Sequence, residues 1–257
     1  MPDTATMTAP ATAPRDLSAE EARKLNPGDH HYRAYVGPPD RFDFMGATQF
    51  ALLFALGLRE EARVLDVGCG SLRAGRLLIP YLLPDRYFGI DPNAWLIDDA
   101  IARELGNDAI AIKRPRFAYH ADFACDVFGT QFDFIVAQSM LTHCGIDLAT
   151  RLLSEMAKAL APGGKIVFSI LRQDDSAERT ERCGWVYPDC VLYSDTHMAE
   201  LCAAQGLRCQ RLGWFHPGAS WYLARHVADP IPEAAELALL NGAVLFDPQF
   251  GASRGAR

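Results

Sequence analysis

The chain has 257 residues, 49% of them hydrophobic and 22% charged. That composition suits one globular domain with appendages and excludes wholesale disorder. A formal net charge of -7 opposes a phosphate backbone, so nucleic acid is not an expected partner.

The seven cysteines, Cys69, Cys125, Cys144, Cys183, Cys190, Cys202 and Cys209, are odd in number and contain no CxxC pair. The pattern argues against a disulfide framework and a spaced zinc site, and suits reduced thiols packed as small hydrophobes. No run of about 18 apolar residues is present, so no membrane span is expected. The N-terminus lacks the basic start and apolar core of a secretory signal. The expected location is the cytoplasm.

Residues 1–16 are rich in Ala, Thr and Pro and read as a flexible leader. Ser18 with Glu20 and Glu21 starts a short helix that Asn26-Pro27-Gly28 breaks. Residues 29–59 form an N-terminal lid: Gly37-Pro38-Pro39 turns, and a helix follows from Asp43 to Leu56. Phe44, Phe50, Leu53 and Leu56 lie near one face of it, and Gly57 stops it. Strand and helix signals then alternate. Strands are expected at 63–67, 87–91, 117–122, 132–138 and 165–171, and helices at 71–82, 94–105, 148–160 and 194–205. Ala161-Pro162-Gly163-Gly164 closes the 148–160 helix. Strands at about 208–214 and 220–226 have no helix between them and form an antiparallel edge hairpin. Such alternation implies a parallel sheet covered by helices on both faces. The body spans 60–228. Residues 229–257 carry an amphipathic helix, Pro232 to Leu245, and a tail disordered after Phe250.

The most informative segment is Val64-Leu65-Asp66-Val67-Gly68-Cys69-Gly70-Ser71. An apolar strand ends in a carboxylate, and two spaced glycines let the backbone approach a ligand closely. A dinucleotide loop requires GxGxxG, but Arg73 stands three residues past Gly70. Asp66 would also repel a pyrophosphate and instead suits a ligand with an ammonium group. That points to S-adenosylmethionine; the plain alternative is a tight strand–helix turn.

The motifs, in order, resemble those of the class I S-adenosylmethionine-dependent methyltransferases over about residues 60–226. Asp66-Val67-Gly68-Cys69-Gly70 resembles the first motif. Tyr87-Phe88-Gly89-Ile90-Asp91-Pro92-Asn93 resembles the second strand ending in an acid. Asp122-Phe123 resembles the third motif, and Leu160-Ala161-Pro162-Gly163-Gly164-Lys165 the turn before the fifth strand. The resemblance implies an α/β, Rossmann-like doubly wound, mostly parallel seven-stranded sheet with an antiparallel edge hairpin. It implies Gly68, Cys69 and Gly70 against the methionine part and Asp66 near its ammonium. Asp91 would take the ribose hydroxyls, with Pro92 and Asn93 on the adenine side. Asp122 would take the adenine amino group, with Phe123 beside the ring. Gln138 and Ser139 would face the cofactor and the transfer channel. One departure stands at Leu72, where the family often has a third glycine; leucine there crowds the cofactor or tilts the first helix.

Methyl transfer to a hydroxyl benefits from a base near pH 7. His143, after the fourth strand, is the candidate base or substrate contact; the alternative is a histidine packing the next helix. His120 reads as structural, His216 as a turn residue and His197 as exposed. His30 and His31 read as lid or solvated loop. The fourth strand lacks the Asn/Asp-Pro-Pro-Tyr sequence used on planar nitrogens, and no metal-ligand cluster is evident. Asp174-Asp175 reads as a solvated pair. Acceptor specificity falls to the lid, with Tyr32, Tyr35, Phe42, Phe44 and Gln49, and to an insertion from Arg172 to Leu192 with Trp185, Tyr187 and, just beyond, Tyr193. The expected function is S-adenosylmethionine-dependent methylation of a small molecule at oxygen, without a nucleic acid or membrane partner and with a homo-oligomer left open. The rivals are a non-catalytic S-adenosylmethionine-binding protein and a nicotinamide-dependent oxidoreductase.

Overall fold

A computed structural model of the chain describes residues 13–187, 189–232, 237 and 240. Eight strands form one sheet: β1 (Val64–Val67), β2 (Tyr87–Ile90), β3 (Arg116–Ala118), β4 (Phe132–Ala137), β5 (Leu160–Arg172), β6 (Leu192–Tyr193), β7 (Leu207–Arg211) and β8 (Ser220–His226). The order is β3-β2-β1-β4-β5-β8-β7, with the two-residue β6 on the end of β5. The strands are parallel except β8, which is antiparallel to both β5 and β7. The seven expected strands are present, and β6 is the addition.

Connections from β1 run one way to β2 and β3, and the sheet's other half begins at β4. A parallel sheet opens a crevice at such a switch point, beyond the strands' C-terminal ends. Strand alternation builds the core on both faces. Leu65 and Val67 pack with Leu152, Leu153 and Met156 of α6 (Ile146–Ala159) and Met198 of α7 (Asp195–Ala203). Val64, Phe134, Val136 and Val167 pack on the other face with Leu52 and Leu53 of α2 (Phe42–Ala55) and Leu78 and Ile79 of α3 (Gly75–Tyr81).

Several boundaries differ from the sequence reading. The first helix starts at Gly75, not Ser71, because Gly68, Gly70 and Leu72 adopt φ of +72°, +50° and +53°. Leu72 is fully buried under Tyr87 and Gly75. It turns into the core and leaves the crevice wall. The third strand ends at Ala118, not Asp122. The helix α4 (Ala94–Ala100) loosens into a π-turn over Ile101–Leu105, and an unforeseen α5 follows at Asn107–Lys113. In β5 the Ala161–Gly164 segment bulges: Phe132 pairs with Leu160, whereas Phe134 pairs with Lys165. The buried side of α2 is Phe42, Met45, Gly46, Gln49, Leu52 and Leu53 rather than the expected Phe44, Phe50, Leu53 and Leu56 set. The helix is apolar nearly all round, so tertiary packing chose the face: Phe44 meets Phe215 and Phe50 meets Tyr81.

Before the sheet, Ser18 and Glu21 form a reciprocal cap on a short 3-10 helix at Glu21–Lys24. The buried His31 caps α1 (Tyr32–Tyr35) through Nδ1, which accepts from Arg33 N–H. Its Nε2 donates to the Leu17 carbonyl. This makes His31 a structural residue, and His30 stacks on Trp95 at 4.4 Å. Arg33, 8% exposed, ties the segment before the sheet to the body of the fold. It pairs with Asp43 at 2.9 Å and with Glu104, while Arg76 joins Asp43 at 2.8 Å. His197 is buried beside Tyr193 rather than exposed. Leu237 and Leu240 are helical and buried. The rest of the expected helix to Leu245, the tail after Phe250 and leader residues 1–12 lie outside the described residues.

Candidate active site

A cavity of about 810 Å³ opens at the switch point. Its floor is the ends of β1, β2 and β4, which contribute Asp66, Val67, Gly68, Ile90, Asp91, Gln138 and Ser139. Cys69, Gly70, Arg73, Pro92, Asn93, Phe123 and His143 also line it. Eleven of the twelve residues proposed from sequence for the cofactor and the base therefore line one space.

Asp122 is the one that does not. Its carboxylate is exposed beside His120 Nδ1 and accepts from Ala124 N–H. The chain leaves β3 early, and Phe123, at φ +61°, turns back inward alone. Asp122 thus closes a local turn through Ala124 N–H and does not line the cavity. His120 lines the cavity instead, although the sequence suggested a purely structural place.

The glycine loop is held by its own acids. Asp91 Oδ2 accepts from Gly70 N–H at 2.9 Å, and Oδ1 accepts from the Asn93 backbone and side-chain N–H groups at 2.8 and 3.0 Å. Burial raises the Asp91 pKa, and these hydrogen bonds oppose the shift. Oδ1 accepts two of these bonds and Oδ2 one, so Oδ2 keeps acceptor capacity for a ligand hydroxyl. Asp66 is 4% exposed and accepts from the Tyr87 hydroxyl at 2.9 Å. Burial pushes its carboxyl up to about 6, against the Tyr87 bond and the attraction of Arg73. A cationic ligand group nearby would stabilise the ionised form and lower that value.

Arg73 marks a residue that sequence reasoning used only to exclude a dinucleotide. Its Nη1 donates to the Val36 carbonyl at 3.0 Å, and no carboxylate among the described residues pairs with it. Burial lowers its pKa to about 10, which leaves it charged at neutral pH. Asp66 and Arg73 thus place opposite charges along one wall, a pattern matched to an amino-acid zwitterion.

The outer wall comes from the two expected lids. The first supplies Tyr35, Val36, Pro38, Arg41, Met45 and Gln49. Arg41, Met45 and Gln49 recur every four residues, a helical spacing that could have been read from the sequence. The insertion supplies Trp185, Tyr187 and Cys190. Tyr35 and Tyr187 meet with ring centroids 6.4 Å apart. Tyr32 and Phe42 are buried core residues, and so is Tyr193. His216, expected only in a turn, also lines the cavity.

His143 is fixed by the insertion. Its Nδ1 lies 2.8 Å from the Asp189 carbonyl, which only accepts, so Nδ1 carries the proton and Nε2 keeps its lone pair. Burial lowers its pKa, with the carbonyl opposing, so the ring is neutral at pH 7. Among the described residues no group of three or more His, Cys, Asp or Glu is placed to hold a metal ion, and no helix is long and apolar enough to cross a membrane.

A family model described as a methyltransferase domain matches residues 30–212. Solved structures share the fold. An O-methyltransferase family protein from Burkholderia thailandensis is 16% identical with a TM-score of 0.53; the match covers 73% of this chain and 57% of that one. DhpI, in complex with SAH (S-adenosylhomocysteine), is 22% identical with a TM-score of 0.52, covering 78% and 94%. Magnesium protoporphyrin IX methyltransferase from Synechocystis PCC 6803, with bound SAH, is 15% identical with a TM-score of 0.54, covering 73% and 84%.

Proposed function

The chain belongs to the methyltransferase-domain family, and from that premise we propose that it transfers a methyl group from S-adenosylmethionine to a hydroxyl of a small-molecule acceptor. The observation that carries the reading is the loop of Gly68 and Gly70, both at positive φ, with Asp66 and Asp91 at the adjoining strand ends. These residues fit the cofactor: Asp91 for the ribose hydroxyls, Asp66 for the ammonium, Arg73 for the carboxylate, and Phe123 with Pro92 and Asn93 for the adenine. Residues 60–228 then form the cofactor domain and residues 29–59 a lid over it.

When bound, S-adenosylmethionine supplies an electrophilic methyl group, which the acceptor oxygen takes as the S–CH3 bond breaks toward sulfur. The protein's share is positioning, dryness and one proton. His143 Nε2 is the acceptor for the hydroxyl proton, in a ring whose orientation the Asp189 carbonyl fixes. The lids exclude water and set which acceptor fits. Oxygen is favoured over a charged amine by the lining itself: among the described residues its carboxylates are Asp66 and Asp91, both beside the glycine loop.

Calorimetric titration with S-adenosylmethionine, SAH and NAD tests this reading, with Asp91→Ala alongside. The expected result is micromolar binding of both adenosyl ligands, lost in the variant. Preference for NAD would overturn it in favour of an oxidoreductase. Tight adenosyl binding without turnover on any hydroxyl acceptor would favour a binding protein.

A further inference from the structure

The acceptor half of the cavity carries polar groups that its own fold leaves unused. Gln49 is 2% exposed and lines the cavity from α2, and its side-chain amide forms no hydrogen bond with any described residue. Gln138, at the end of β4, has a buried Oε1 without a partner among the described residues. Its Nε2 stands 3.5 Å from His216 Nε2. A buried polar atom left unpaired costs about 1–3 kcal/mol, so Gln138 Oε1, with the Gln49 amide lining the same cavity, calls for a ligand that supplies both donors and acceptors. Hydroxyls do both.

The rim has the opposite character. Trp185 and Tyr187 are 49% and 37% exposed, although both rings line the cavity. They flank the His143 ring at centroid distances of 5.6 and 5.0 Å. Broad rings beside a polar interior suit a ligand that has an apolar C–H face and a hydroxylated edge. A flat aromatic acceptor would meet the rings but leave Gln138 Oε1 unpaired. Among the described lining residues an amine acceptor would find no carboxylate besides Asp66 and Asp91, which the cofactor reading uses.

Resting on the methyltransferase reading, we propose that the acceptor is a saccharide methylated at a ring hydroxyl, with Gln49 and Gln138 reading the neighbouring hydroxyls. The sugar's C–H face lies against Trp185 and Tyr187, and the reacting hydroxyl lies at His143. The product is a methyl ether, with the hydroxyl proton left on His143 and SAH released.

The test uses the full chain. Calorimetry first establishes SAH binding; its absence overturns the methyltransferase reading and this proposal together. The SAH-loaded protein is then examined by saturation-transfer NMR with methyl glycosides of glucose, galactose, mannose, rhamnose and N-acetylglucosamine. Catechol and 4-hydroxybenzoate represent the flat alternative. At least one glycoside is expected to bind. Removing a hydroxyl that Gln49 reads, in deoxy analogues of that glycoside, is expected to weaken binding about tenfold or more. Gln49→Leu should weaken the same glycoside by a similar factor and leave SAH affinity within about twofold. The deoxy series decides on wild-type protein even where the variant fails to fold. The proposal is overturned when SAH binds but no glycoside does, when only the aromatic probes bind, or when glycoside affinity ignores every missing hydroxyl.

Discussion

Replacing Arg73 by methionine separates recognition of the cofactor's amino-acid end from recognition of its adenosine. A guanidinium has five donors, and the fold uses one, toward the Val36 carbonyl at 3.0 Å. No carboxylate of the described residues completes the rest, so the bound ligand's carboxylate is the partner we assign. A hydrogen bond between charged groups contributes about 1.5–3 kcal/mol, so its loss should weaken SAH binding about 10- to 150-fold. The lost Val36 contact should cost about 1 kcal/mol of stability, or roughly 2–4 °C in Tm. Calorimetry with SAH and with 5'-methylthioadenosine, which lacks the amino-acid group, makes the result specific. The variant should bind methylthioadenosine as wild type does, so that the preference for SAH collapses. Equal weakening of both ligands would refute the assignment and show that Arg73 acts only by holding the loop.

The remaining predictions follow from the same wall. Gly68→Ala brings a Cβ to 2.1 Å from Met140 Sδ at φ +72°; left-handed strain and the displaced Met140 together should cost about 2 kcal/mol and lower Tm by roughly 4–8 °C, with weaker SAH binding. His143→Gln should reduce kcat about 10²–10⁴-fold with little change in SAH affinity. A base with a lowered pKa is fully deprotonated at neutral pH, so wild-type kcat/KM should fall only below the ordinary histidine range and the variant should lose that limb; an unchanged acid limb would refute the role. Asp66 is protonated in the ligand-free protein below about pH 6, against 3.8 for the free side chain. Its raised pKa favours folding below 3.8, and that contribution is lost as pH rises through about 6. A ligand ammonium ionises the group, so SAH binding at pH 5.5 should release most of one proton. Calorimetry in buffers of different ionisation enthalpy measures this, and Asp66→Asn should abolish the release.

The core was legible in the sequence because its signals are local. Val64-Leu65-Asp66-Val67 followed by spaced glycines defines a strand and a turn wherever it occurs, and Asp91 before Pro92 repeats the signal at the next strand end. Left-handed geometry at Leu72 was not legible, because leucine seldom adopts it; burial under Tyr87 holds it there and delays α3 to Gly75. Asp122 looked like a site residue because strand register was extrapolated past Ala118, where pairing stops. The Tyr87–Asp66 bond, Arg73 under Val36, and the meeting of Tyr35 with Tyr187 join distant segments that no periodicity links. Aromatic content marked both lids, but which rings face the cavity was decided by tertiary packing. Tyr32 and Phe42 turned inward, whereas Trp185 and Tyr187 reached the rim.

The most direct measurement is a crystal structure of the chain with SAH. The expected complex has the ribose hydroxyls within hydrogen-bond distance of Asp91, the carboxylate on Arg73, and the sulfur facing Gln138 and His143. Adenosine bound elsewhere, or Asp91 without contact to the ribose, would contradict it.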